Sequence, residues 1–225
     1  MKKNALNTAL TVLYIVAVAV LILTFSIALP IYCRFFYYMQ INPLGLPEST
    51  GFSFAEIKNS YDEVLNFLTF GGEFGTGVFP YSEEGMAHFY DCKALFDLNL
   101  IALIVSLSVT VILKILSLKK VVELKKFNGF TPSFYSGVAI LSLMAIVGIT
   151  ALIDFNFAFV TFHHIFFPGK TNWTFDEVKD GIIKILPEEF FLSCAILIIA
   201  AAAFICVALI IYSAVKRGKR EKKAI

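Results

Sequence analysis

Charge is what this sequence has least of. Acidic and basic residues make up 16% of 225 residues, 58% are hydrophobic, and the mean hydropathy is +0.79. A soluble domain of this size has no need of so much apolar surface, so the soluble classes are excluded. Charged side chains almost vanish from four runs, residues 10–32, 98–118, 134–153 and 191–214, with Lys114 the exception. Each run is long enough to cross a hydrocarbon core of roughly 30 Å, which takes about 20 helical residues. The runs are almost purely Leu, Ile, Val and Ala, which offers little to line a water-filled path. No CxxC occurs among the four cysteines, so a thiol oxidase finds no support. Cys33, Cys194 and Cys206 read as packing residues. The first run, although preceded by Lys2 and Lys3, is longer than the apolar region of roughly 7–15 residues in a signal peptide. It is expected to stay as a helix.

The basic residues are distributed unevenly. Lys2 and Lys3, then Lys119, Lys120, Lys125 and Lys126, then Lys216, Arg217, Lys219, Arg220, Lys222 and Lys223 flank one side of an even number of crossings. The positive-inside rule puts that side, and both termini, in the cytoplasm. The basic tail is a topology signal and a contact for anionic lipid. The opposite face is rich in acids and carries the polar variety of the chain.

The cytoplasmic connection, "KKVVELKKFNGFTPS", is short, whereas residues 34–96 and 154–187 are long enough to build a cap together. In the first of these, "FAEIKNSYDEVLNFLTF" places Ile57, Tyr61, Val64, Leu65 and Leu68 at helical spacing. "GGEFGTGVFPYS" suggests turns or short strands. Ser82 can cap a helix through His88 into the second crossing, with Glu83 and Glu84 in its first turn. In the second, Pro168 and Gly169 punctuate the chain, and Thr174 with Glu177 predicts a capping box that opens an amphipathic helix over "FDEVKDGIIKIL". Pro187 ends that helix and starts the fourth crossing.

All three histidines fall at the outer boundary of the crossings: His88 before the second, His163 and His164 after the third. On an ideal helix Phe155, Phe159, Phe162 and Phe166 form one aromatic stripe with His163 beside it. Asn156 lines up with His163 two turns earlier, and His164 falls on the opposite side. The plain reading is interfacial anchoring by aromatics, with histidine as the polar residue that meets water. The functional reading is a titrating pair, with Asp91, three residues after His88, oriented to hold an imidazole. Asp91 is equally suited to pair with Lys93 or another cation. Cys92 lies one turn from His88, which leaves a Cys–His thioester route open. A metal site from His88, His163 and His164 is disfavoured because adjacent histidines point to opposite helix faces.

"EEGMAHFYDCKALF" and "DFNFAFVTFHHIFFPGKTNWTFDEVKDGIIKILPEEFF" together resemble the lipoprotein intramolecular transacylases of Gram-positive bacteria. The first resembles the family's histidine, aspartate and lysine motif before the second crossing. The second resembles its segment of histidine, "FF", tryptophan, aspartate and "LPEEFF". The family's usual "DVK" stands here as "DCK", with Cys92 as the departure.

The resemblance implies an all-α membrane protein, a four-transmembrane-helix bundle with an extracellular cap built from the two outer loops. It implies transfer of the sn-2 acyl chain of a diacylglyceryl-cysteine lipoprotein to its own α-amine. It places His88 and His163 as acid and base in either order, with Asp91 to orient His88 and Phe159, Phe162, Phe166 and Trp173 against the acyl chains; Asn156, aligned with His163 on the helix, is expected in support. No cofactor, metal or nucleic acid is expected. The partners are the lipoprotein and membrane lipid, and the chain is expected as a monomer in the cell membrane with its site facing outward. The segments are 1–33, 34–97, 98–153, 154–187 and 188–225, alternating membrane and cap. The other class left open is a non-enzymatic four-helix scaffold or channel.

Overall fold

A computed structural model describes residues 2–221; Lys222 and Lys223 of the basic tail lie outside the described residues. The chain is helical: α1 (Lys2–Tyr32), α2 (Arg34–Tyr38), α3 (Leu46–Thr50), α4 (Phe54–Phe70), α5 (Glu83–Leu118), α6 (Pro132–Ile153), α7 (Phe155–Phe166), a 3-10 turn (Gly181–Ile185) and α8 (Glu188–Glu221). Four helices, α1, α5, α6 and α8, are long and apolar enough to cross a membrane, and they contain the four predicted runs. Large apolar side chains on them face outward, among them Leu98, Ile101, Ile112, Leu152 and Phe204. Such a surface is at home in lipid. This is a multi-pass membrane protein.

The chain forms two compact units. Residues 1–27, 100–149 and 198–225 make the first, and residues 28–99 and 150–197 the second.

The first unit is a helical bundle around Tyr14, Val18, Ile22, Leu113, Ile140, Met144, Ala202 and Cys206. Small residues and hydroxyls set its close approaches. A Cβ at Gly137 would come within 3.2 Å of the Cys206 carbonyl oxygen. Ser136 donates to the Ile15 carbonyl at 2.7 Å, and Thr131 donates from its amide to Ser213 Oγ at 2.9 Å. Where lipid replaces water there is little hydrophobic force between helices, so small residues and such bonds hold them together.

The second unit is made by the two long loops. Its core joins Tyr37, Ile41, Ile57, Tyr61, Val64, Leu65 and Leu68 to Ile182, Ile185 and Phe190. At about 1.5–3 kcal/mol per large buried side chain, this cluster outweighs any local preference in the loops. Helix α4 buries the face that its periodicity predicts, and it opens with a capping box between Ser53 and Glu56. Tyr37 stacks on Tyr61 with ring centroids 3.7 Å apart and donates to the Ile185 carbonyl at 2.8 Å. The segment 71–82 forms turns and irregular chain, without strands.

One predicted element does not form. Residues 174–180 are turns, and only Gly181–Ile185 is helical, as a 3-10 turn. The Thr174 hydroxyl donates to the Thr171 carbonyl instead of capping a helix, and the Asp176 carboxylate accepts from the Val178 amide. Buried Asp180 accepts from the Ser82 amide and hydroxyl, each at 2.8 Å. The Gly181 amide donates to the Pro80 carbonyl at 3.0 Å, where a Cβ on Gly181 would meet the proline ring at 2.8 Å. These long-range bonds to 80–82 win over the local amphipathic pattern.

Candidate active site

The site lies within the second unit, between the start of α5 and the end of α7. Ser82 caps α5, accepting from the Gly85 amide at 2.9 Å, with Glu83 and Glu84 in the first turn. Its hydroxyl in turn donates to Asp180, so the cap is itself held. This anchors the turn that carries His88. Helix α7 starts at Asp154, whose extended backbone breaks from α6 and whose carboxylate accepts from the Phe157 amide at 2.9 Å. Its last turn carries His163.

His88 and His163 are brought together. Both are buried, at 5% and 7% exposure, with ring centroids 5.8 Å apart. His163 stacks on Trp173 at 4.7 Å and contacts Phe159 at 4.3 Å and Phe162 at 5.4 Å. His88 meets the edges of Phe167 at 4.9 Å and Phe175 at 5.5 Å. Phe167 also lies 5.7 Å from His163 and so touches both imidazoles.

Each imidazole has one nitrogen engaged with the protein. His163 Nδ1 lies 2.7 Å from the Phe159 carbonyl oxygen. A carbonyl only accepts, so Nδ1 holds the proton and the Nε2 lone pair is free in the neutral ring. Burial pushes the His163 pKa below the usual histidine range, the bond to Phe159 opposes this, and neighbouring His164 adds to it. His88 Nε2 lies 3.3 Å from Cys92 Sγ, while its Nδ1 is buried without a hydrogen-bond partner. A buried polar atom left without a partner calls for an explanation, and a polar substrate is the simplest one.

The supporting residues are placed differently from expectation. Asp91 does not bond His88. Its carboxylate is ion-paired with Lys170 and accepts from Asn172 Nδ2 at 3.0 Å. It therefore ties α5 to the loop after α7. Trp173 follows directly and donates from its indole N–H to the Lys170 carbonyl at 3.0 Å. Lys93, the other partner considered for Asp91, pairs with Asp97. Asn156 is exposed near the start of α7. His164 is exposed, edge-on to Trp173 at 5.7 Å. Phe162 and Phe166 lie 4.6 Å apart and are largely exposed, which leaves an aromatic face open beside His163. Phe167 and Phe175 did not stand out in the sequence. Phe167 caps the end of α7 and Phe175 lies in the irregular segment before the 3-10 turn, both off the stripe, and only the repeated "FF" of "HHIFFPG" hints at the first. Among the described residues no group of three or more His, Cys, Asp or Glu side chains could hold a metal ion.

His88 on α5, a helix long and apolar enough to cross a membrane, and His163 on the short α7 put a pair of buried imidazoles together among aromatics, an arrangement suited to acid–base chemistry in a membrane-integral enzyme. The family model for "Lipoprotein intramolecular transacylase Lit" matches residues 12–191, and the chain belongs to that family. This removes the scaffold or channel alternative. The fold is similar to a solved structure of the membrane integral lipoprotein intramolecular transacylase Lit from Bacillus cereus, with a TM-score of 0.84 at 24% identity, covering 98% of this chain and 99% of that one. Two histidine-substituted forms of the Bacillus cereus protein are similar at a TM-score of 0.76 and 24% identity. They cover 99% and 96% of this chain, and 96% and 97% of theirs. No curated protein sequence matches the chain.

Proposed function

We propose that the chain moves the sn-2 acyl chain of a diacylglyceryl-cysteine lipoprotein to the α-amine of that same cysteine. The product is the N-acyl, S-monoacylglyceryl lyso form. The observation that carries this reading is the pair of buried imidazoles 5.8 Å apart, each with one ring nitrogen not engaged by the protein's oxygen or nitrogen atoms. Amine and ester belong to one substrate molecule, so no acyl-enzyme is required and the main task is to bring them together. Positioning of this kind can supply roughly 7–11 kcal/mol of a barrier. Proton transfer remains: the amine must lose protons and the glycerol oxygen must gain one. His88 and His163 are the groups placed to serve this chemistry, as proton carrier or as hydrogen-bond donor to the developing charge.

The open face of Phe162 and Phe166, with Phe159 and Trp173, suits acyl chains that enter from lipid. The basic clusters argue that both termini are cytoplasmic and that the site faces outward, where processed lipoproteins expose their amine. The chain is proposed to act as a monomer.

The test is expression in a strain whose lipoproteins keep the diacyl form, followed by mass spectrometry of lipoprotein N-termini. The lyso form should appear with this chain and be absent from the His88→Ala and His163→Ala variants. Unchanged diacyl lipoprotein with an expressed, folded chain would refute the reading.

A further inference from the structure

The site holds one nucleophile that the transfer does not use. Cys92 follows His88 by one turn of α5, with Sγ 3.3 Å from His88 Nε2, and it packs against the apolar core of the second unit. A thiol in such surroundings keeps its proton. S–H is a weak donor and sulfur a weak acceptor, whereas an unprotonated imidazole nitrogen accepts well, so a protonated thiol facing Nε2 can donate its S–H to that lone pair. A neutral imidazole that accepts at Nε2 carries its proton on Nδ1. His88 Nδ1 is buried and without a partner, and in that tautomer it is a donor that a substrate acceptor can satisfy. His163 is the converse, because the Phe159 carbonyl holds its proton on Nδ1 and leaves Nε2 as a lone pair.

We propose that Cys92 is a positioning residue that locks His88 in the Nδ1–H form, so that His88 donates to the ester carbonyl oxygen while His163 alone carries the proton. This rests on the transacylase reading above. The neutral α-amine adds to the sn-2 carbonyl carbon, forming the C–N bond, and the π pair moves onto the oxygen that His88 Nδ1–H holds. His163 Nε2 takes the proton from the attacking nitrogen and becomes imidazolium. It returns that proton to the glycerol oxygen as the C–O bond breaks. Amide and hydroxyl leave, and His163, His88 and Cys92 end as they began. A single donor of this kind is worth about 10²–10³ in kcat.

The test uses the full chain in detergent with 15N-labelled histidine. His88 in the wild type should show a protonated Nδ1 and a bare Nε2. Cys92→Ser keeps a hydroxyl donor and should keep that tautomer, with kcat within about threefold. Cys92→Ala removes the donor, and His88 should then populate both tautomers. Its kcat should fall about three- to tenfold as the competent fraction falls, at unchanged KM and unchanged thermal unfolding. The acid limb of its pH profile should stay in place, since His163 is untouched. A wild-type His88 protonated on Nε2, a Cys92→Ala enzyme with full kcat and the same tautomer, or an acyl thioester trapped on Cys92 would each overturn the proposal. Absence of lyso product from the wild type would overturn the transacylase reading and the role given to the carbonyl donor, while the resonances test the tautomer lock separately.

Discussion

Asn172 donates through Nδ2 to Asp91 Oδ2 at 3.0 Å, and so fastens the loop that carries Trp173 to the helix that carries His88. Lys170 holds the other oxygen of the same carboxylate. Asp91 is thus linked to His163 through the loop and the indole stacked on that ring, with no direct bond to His88. Asp91→Ala should free the loop and lower kcat about tenfold, the order of effect expected when a group that positions the chemistry is loosened. Trp173 is the chain's single tryptophan beside nine tyrosines, so fluorescence excited selectively at tryptophan reports this loop. Its emission should shift in Asp91→Ala and in Lys170→Ala. An unchanged spectrum with lost activity would mean that Asp91 works by another route.

The two imidazoles should be indispensable. His88→Ala and His163→Ala should each lower conversion by at least about 10²-fold while the protein still accumulates in the membrane, as loss of a proton carrier or of a charge-stabilising donor does. His164→Ala should be mild, because His164 is exposed and meets Trp173 edge-on at the rim of the site. Lyso-form yield by mass spectrometry, set against protein level, separates the three. A dead His164→Ala beside an active His163→Ala would reverse the assignment.

Burial lowers the pKa of His163, and the sign of the pH dependence follows. The ring stays neutral, with Nε2 free, down to a pH below the ordinary histidine value of about 6.5. The α-amine of the substrate, with a pKa of about 8, is the group that loses activity first as pH falls. The profile of kcat/KM should rise to about pH 8, with a second, enzyme-derived limb below 6.5. Because an unfolded His163 binds a proton more readily than the folded one, stability should fall as pH drops through 6.5. Paired pH profiles of activity and thermal unfolding check both limbs. Stability that rises on acidification through that window would contradict the buried, neutral ring.

What could be read in the sequence depended on whether the information was local. The four crossings and the buried face of α4, from Ile57 to Leu68, follow from composition and period, and both are present. The Ser82 cap is present because its partner, the Gly85 amide, is three residues away. The helix expected after Thr174 fails because Asp180 and Gly181 are engaged by residues 80–82, about a hundred positions earlier. Local spacing offers Asp91 the imidazole of His88 or a nearby cation such as Lys93, yet its partners come from residues 170 and 172. Phe167 and Phe175 were missed for the same reason, since their contacts to His88 cross between loops that no periodicity links.

The Asp180 cluster makes a prediction about stability. The buried carboxylate accepts three bonds, from the Ser82 amide and hydroxyl and from the Asp176 amide. Asp180→Ala would strip the Ser82 cap of its partner, at a cost of about 2–4 kcal/mol for bonds to a buried charged group. Gly85→Ala should act on the same cluster from the other side, because its Cβ would lie 2.3 Å from Asp180 Oδ1. Both variants should unfold at lower temperature in detergent, and Trp173 emission should change in the same transition. Wild-type stability of Asp180→Ala would show that the cluster is incidental.

The last prediction separates intramolecular transfer from every reaction that needs a separate acyl donor. If the amine attacks the ester of its own glycerol, the reaction is an isomerisation, and only the connectivity of the substrate changes. Purified enzyme in detergent should convert a diacylglyceryl lipopeptide without added phospholipid, at unchanged intact mass. Fragmentation should place one acyl chain on the cysteine nitrogen and one on the glycerol. A lipopeptide whose amine is acetylated should not react, since it has lost the nucleophile while keeping the ester. Two lipopeptides that differ in acyl length, mixed in one reaction, should each keep their own chains, because nothing in the proposed transfer lets an acyl group leave its parent molecule. Scrambled chains, a mass gain of one acyl group or an absolute need for phospholipid would assign His88 and His163 to an intermolecular acyl transfer.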